Sequence, residues 1–252
     1  MRLNHLAAAI VMVLVVALLA SVAAAVPDGV TIIPISNTTN TPGAGGLINT
    51  SGGSITTINL NGTTQNVRWK AFVGNVSGKL ALEDSSGNAV YDWSLTAITG
   101  EVYATRHSDT INWTGINCAP LNATESENAN LSHANADDNI TATFNGIDNQ
   151  QMVVGTTTIS ASTCSTINVY QDQQDTGAGD DVFEELVLYD NGNQSWDQNT
   201  SSFGKIVYAQ SIESDAAGYD NIQTFDFQMI VPERGNAGWA SSTAYYFYME
   251  LT

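Results

Sequence analysis

The run Thr105-Arg-His-Ser-Asp-Thr110 sets His107, Ser108 and Asp109 side by side, the three residue types of a hydrolytic triad. A relay needs them to converge on one point. Adjacent residues on a strand point to opposite faces, so this run is not expected to act as one. Asp172, Asp175, Asp180 and Asp181 surround a Gly-rich turn, and carboxylates with turn carbonyls are the ligands a hard cation takes. Their spacing is not that of an EF-hand. A solvated acidic loop between strands is the plainer expectation, and calcium is the one cofactor the sequence offers. Paired carboxylates suited to glycoside hydrolysis can come from any two of the 25 acids, but no pair stands out. Of three His, His5 lies in the apolar leader, and His107 and His133 lie in polar stretches. No Gly-x-Ser-x-Gly elbow, phosphate-cradling glycine loop or His-Glu-x-x-His helix occurs. The chain is therefore expected not to be an enzyme.

Other residues speak of compartment. Leu6 to Val26 is apolar except for Ser21, follows Arg2, and ends in Ala23-Ala24-Ala25. That order of charge, apolar run and small-residue exit is a signal peptide over residues 1–25. Left uncleaved, it is about long enough to anchor the chain in a bilayer, the only membrane contact expected. In an exported chain the two cysteines, Cys118 and Cys164, pair by default. Ten Asn-x-Ser/Thr triplets begin at Asn37, Asn49, Asn61, Asn75, Asn112, Asn122, Asn130, Asn139, Asn193 and Asn199, and they are expected to carry N-glycans.

Losing Arg2 with the leader leaves six of the seven Lys and Arg against 25 carboxylates. Such a molecule repels phosphate backbones and anionic lipid, so nucleic acid is excluded as a partner.

The elements that must position these residues are strands. After "VPDGVTIIPI", with a strand expected at Val30 to Ile35, "SNTTNTPGAGGLINTSGGS" has almost nothing to bury and reads as a flexible tether. Residues 26–54 thus form a strand plus tether, and 55–252 one folded body. Period-two alternation dominates that body. "NVRWKAFVG" puts Val67, Trp69, Ala71 and Val73 on one face, and further strands are expected at "GKLALED", "AVYDWSL", "GEVYATR", "NITATFNG", "QMVVGTTTIS", "TINVYQ", "VFEELVLYD", "GKIVYAQ", "IQTFDFQMIV" and "TAYYFYMELT". In the last of these Tyr245, Phe247, Met249 and Leu251 are expected to face the core, with Tyr246 and Tyr248 opposite on a second covered face or, as the alternative, on one that stacks on sugar or packs against another subunit. A short helix is expected only near 123–137, where Ala and Glu replace β-branched residues. These elements predict an all-β, antiparallel β-sandwich. "LALEDSSGNAVYDW" and "LVLYDNGNQSWDQ" share Leu-x-Leu-x-Asp, a Gly and Asn turn and a following Trp. Duplication and convergence on good turn chemistry both explain this echo.

With "GNVSGKLALEDSSGNAVYDW", "GEVYATR", "FDFQMIVPE" and "YYFYMEL", the chain resembles archaeal secreted cell-surface β-sandwich proteins to which no activity is attached. The resemblance implies an extracellular, glycosylated envelope protein and brings no catalytic residues. The leading expectation is a structural or adhesive surface protein that contacts its own copies or other cell-surface components. The Val30 to Ile35 strand either folds back on its own domain, the plainer expectation, or is donated to a neighbour to build a filament. The alternatives are a carbohydrate- or calcium-dependent binding module and, third, a secreted hydrolase.

Overall fold

The computed structural model describes residues 26–41, 43–169, 182–190, 204–234 and 242–252. Its strands are β1 Asp28–Gly29, β2 Trp69–Gly74, β3 Lys79–Glu83, β4 Ala89–Ser94, β5 Gly100–Thr105, β6 Asn117–Cys118, β7 Met152–Val154, β8 Thr157–Ile159, β9 Thr166–Asn168, β10 Glu184–Tyr189, β11 Ile206–Ser211, β12 Ala216–Ala217, β13 Thr224–Phe225, β14 Phe227–Pro232 and β15 Tyr246–Leu251. Two helices, α1 Leu121–Leu131 and α2 Ile140–Thr143, and one 3-10 turn, Trp113–Gly115, interrupt them.

Seven strands form one antiparallel sheet in the order β1-β15-β5-β11-β10-β6, with β9 sharing the outer edge of β10. The fold is all-β with short helices, as the alternation predicts. Its layering is not two matched sheets. One face of the large sheet, with Val102, Ala104, Val187, Tyr189 and Tyr208, is covered by Met229 and Val231 of the β14–β2 ribbon and by α1 and α2. The other face, with Tyr103, Leu186, Leu188, Val207 and Ala209, is covered by the β7–β8 ribbon, Ile111, Ile116 and Cys164. Burial on both sides explains why β10 is buried at all six positions. One covered face would have left alternate residues wet.

Three local expectations need correction. The Val30–Ile35 strand is absent: pairing is confined to Asp28–Gly29, and residues 31–35 are exposed without partners. "NITATFNG" forms α2, because the Asn139 side chain accepts a hydrogen bond from the Ala142 amide and caps a helical turn that its β-branched residues alone disfavour. "QMVVGTTTIS" is not one strand but the β7–β8 hairpin, turning at Gly155, where φ is +57°.

The helix expected at 123–137 spans Leu121–Leu131 and stops at Ser132, whose left-handed backbone (φ 57°) lets the following amides cap the last turn. Its buried face mixes Ala123 and Leu131 with Glu127 and Asn128. Asn128 accepts the Ile140 amide at 2.9 Å, so this polar residue docks α2 onto α1.

Cys118 and Cys164 are disulfide-bonded, with Cα atoms 4.9 Å apart. Cys118 ends β6, and Cys164 lies just before β9. The bridge therefore clamps together the two short strands that share the edge of β10.

Candidate assembly surface

The N-terminal arm leaves the sheet at once. β1 meets β15 with Asp28 opposite Met249 and Gly29 opposite Tyr248, and the Val30 amide reaches the Phe247 carbonyl at 3.5 Å. Between Thr31 and Val67 every described residue is exposed and none lies in a strand or helix. The far end is pinned by Asp138, whose carboxylate takes the Asn66 amide at 3.0 Å and pairs with Arg68 at 3.1 Å. The Trp69 indole donates to the Asp138 carbonyl at 2.8 Å. From Gly29 to Val67 there is no Asp, Glu, Lys or Arg, in a chain of net charge −18.

The strand that receives β1 is held by a buried pair of acids. Glu250 of β15 and Glu101 of β5 are direct register partners, and both are buried on the face that carries Tyr103. The Glu250 carboxylate accepts the Gly155 amide at 2.8 Å and faces the Tyr103 hydroxyl at 3.4 Å, which ties the β7–β8 turn to β15. Burial, helped by the charge of Glu250, pushes the Glu101 carboxyl up to about 7. Burial also raises Glu250, opposed by the Gly155 amide and the Tyr103 hydroxyl, which favour its ionised form. Both faces of β15 are covered: Phe247 packs in one core cluster and Tyr248 against the other, where it meets Trp113 at 5.3 Å, and the most buried side chain, Glu250, lies on the Tyr248 face.

A second polar set holds the β14–β2 ribbon. Gln210 accepts the Gln228 amide at 2.7 Å and donates to its carbonyl at 2.8 Å, while the buried carboxyl of Glu185 accepts the Ile230 amide at 2.8 Å. Side chains of the large sheet thereby occupy the edge of β14 that β2 leaves free. Burial raises the Glu185 carboxyl well above the ordinary range, opposed by the hydrogen bond from the Ile230 amide. Nearby, Lys70 pairs with Glu233 at 2.6 Å and lies 5.1 Å over the Tyr245 ring, and buried His133 meets the Glu233 carbonyl.

β3 and β4 form a hairpin in which every residue is exposed. Leu80 faces Trp93 and Leu82 faces Tyr91 across the strands, giving one apolar face; Lys79 and Asp92 pair on the opposite face.

The candidate chemical residues do not converge. Ser108 is exposed, Asp109 pairs with Lys205 at 3.0 Å, and His107, its pKa lowered by burial and by Arg106, is half-buried. Arg106 itself forms a two-point pair with Glu127 of α1. Asp172, Asp175, Asp180 and Asp181, with Asn193 and Asn199, lie outside the described residues. Among the described residues no group of three or more His, Cys, Asp or Glu is arranged to hold a metal. Asn37, Asn49, Asn61, Asn75, Asn112 and Asn130 are exposed; Asn122 and Asn139 are half-buried, the latter capping α2. No helix among the described residues is long and apolar enough to cross a membrane.

The sequence reading missed the acid pair and the Glu185 seam. Alternation places Glu101 and Glu250 on strands, but only the register between strands that lie far apart in the chain makes them neighbours. No family model matches the chain, and no curated protein or solved structure matches it.

Proposed function

We propose that the protein is an exported, N-glycosylated structural subunit of the cell surface that assembles with its own copies by donating the N-terminal strand. The observation that carries this reading is the pairing of Asp28–Gly29 on β15, followed by the long exposed arm without charge. An element held by so few contacts and joined by so long a tether exchanges between copies at little cost, because each copy offers the same acceptor edge. The net charge of −18 opposes contact between the acidic bodies, whereas an uncharged arm crosses the gap without that repulsion.

Removing residues 26–35 from the secreted chain tests it. Negative-stain microscopy is expected to show filaments for the intact protein and dispersed particles for the deletion. Filaments that persist without these residues would refute strand donation. Mass spectrometry of tryptic glycopeptides is expected to find sugar on the exposed sites Asn37, Asn49, Asn61, Asn75, Asn112 and Asn130; six bare asparagines would remove the glycoprotein part of the reading.

A further inference from the structure

The β3–β4 hairpin is folded as though one face were covered. Its cross-strand pairs Leu80 with Trp93 and Leu82 with Tyr91 put four large apolar side chains on one side, and Leu82 and Tyr91 are each 59 % exposed. The Tyr91 and Trp93 rings pack edge to face at 4.9 Å. A two-stranded ribbon alone is marginal in water and gains stability from a third strand or a packed cover. Four half-exposed side chains of this size present on the order of 400 Å², large enough to mark an interaction site on a lone protein. It is also about half of what one side of a stable interface buries, so two hairpins face to face do not suffice.

The arm carries a segment with the complementary lack. Residues 55–60, Ile-Thr-Thr-Ile-Asn-Leu, have strand-forming side chains and no proline, so every amide can join a ladder. Ile58 and Leu60 fall on one face at the two-residue spacing of Leu80 and Leu82. Ile55 is 101 % and Leu60 88 % exposed. Within one chain, then, the hairpin face and this segment are both left open.

We propose that the β3–β4 hairpin takes residues 55–60 of a second copy as an added strand on its β3 edge, so that Ile58 and Leu60 lie beside Leu80 and Leu82 and widen the apolar face. Charge selects this occupant. A second acidic body is repelled, whereas the segment lies inside a stretch, Gly29 to Val67, that has no ionised side chain. Ile58 and Leu60 extend the apolar area of the face, and the open edges of the hairpin supply main-chain hydrogen bonds. This rests on the assembly reading only in taking the partner to be another copy; it uses a different stretch of the arm and a different acceptor.

Paired cysteine variants of the full chain test it. The only native cysteines are bonded to each other, so new thiols are the reactive ones. Ile58→Cys protein is mixed with Leu82→Cys protein under mild oxidation, with Ile58→Cys plus Ser214→Cys as the control. Proximity raises effective concentration, so roughly tenfold more disulfide-linked dimer than in the control is expected on a non-reducing gel. Equal yields in the two mixtures overturn the proposal. So does a chain carrying both Ile58→Cys and Leu82→Cys that closes on itself at high dilution in preference to linking two chains, since its own arm is then the added strand. The two readings fail separately: intact filaments without this cross-link sink the hairpin contact alone, and a cross-link that survives removal of residues 26–35 together with filaments sinks strand donation alone.

Discussion

Two segments of this chain begin with the same pattern and end in opposite surroundings. Leu80-Ala-Leu-Glu-Asp84 and Leu186-Val-Leu-Tyr-Asp190 both place leucines two apart on a strand that stops at an aspartate. β10 is buried at every position, while β3 is exposed at every position. The difference lies in the neighbours. β10 has β11 on one edge, β6 and β9 on the other, and a cover on each face. Among the described residues β3 pairs with β4 alone, in a two-stranded sheet. Local pattern therefore settles that a strand forms and where it turns; the rest of the fold settles what that strand is worth.

The sharpest break of the comparison is to shorten the matching leucines. Leu188→Ala removes a side chain buried in the seam between β10 and the β7–β8 ribbon and is expected to cost about 2 to 5 kcal/mol, read as a lower midpoint in urea denaturation. The change is large because the cavity is walled by sheet on one side and by the disulfide-clamped edge on the other. A loss below about 1 kcal/mol would mean that β10 is not the packed centre described.

The disulfide is a second difference between the two regions, since it braces the edge of β10 and has no counterpart near β3. Cys118→Ser with Cys164→Ser opens a closure of 46 residues and is expected to cost about 3 to 4 kcal/mol, chiefly by freeing the unfolded chain. Reducing agent should lower the melting temperature of the parent to that of the variant and leave the variant unmoved.

Strands β5, β10, β11, β14 and β15 are readable in the sequence because their apolar runs are long and bounded by turn residues. The cysteine pair is readable because a chain with two cysteines has one way to pair them within itself. What resists reading has a common cause. α2 depends on one capping asparagine, and the β7–β8 turn on one glycine whose left-handed backbone is invisible in an apolar alternation. The Glu101–Glu250 pair and the Glu185–Ile230 contact are set by registers between segments 149 and 45 residues apart, respectively. Because Glu185 and Gln210 sit at positions of β10 and β11 that alternation assigns to the core, a polar residue at such a position is the one available hint that another strand's edge is being held there.

The acid pair makes the large sheet sensitive to pH in a way the isolated hairpin is not. Folded Glu101 titrates at about 7 against an unfolded value near 4.5, so between those values the folded chain holds a proton that the unfolded chain has released. Raising the pH through that window lowers stability, by about 3 kcal/mol once Glu101 has ionised beside Glu250. Below about pH 4.5 the contribution is fully present. Glu101→Gln should lessen this slope, leaving the part that the raised Glu185 and Glu250 carboxyls contribute, and make the variant more stable than the parent at pH 8, with little difference at pH 4, as measured by denaturation across the range. A slope that survives the substitution places the proton elsewhere.

The smallest effect on folding is expected where the pattern is repeated but uncovered. Leu82→Ser takes an exposed methyl pair off the hairpin and leaves no cavity, so the dispersed chain should lose no more than about 0.5 kcal/mol. Made polar in the same way, Leu188 would strand a hydroxyl in the core and unfold much of the sheet. Yet if a second copy's strand packs beside Leu82 in the assembly, Leu82→Ser should still raise the protein concentration at which assembled material first sediments. An unchanged monomer with weakened assembly is the outcome that separates a surface kept apolar for a partner from one that is merely tolerated. Equal sedimentation of the variant and parent would return β3 to the status of an ordinary exposed strand.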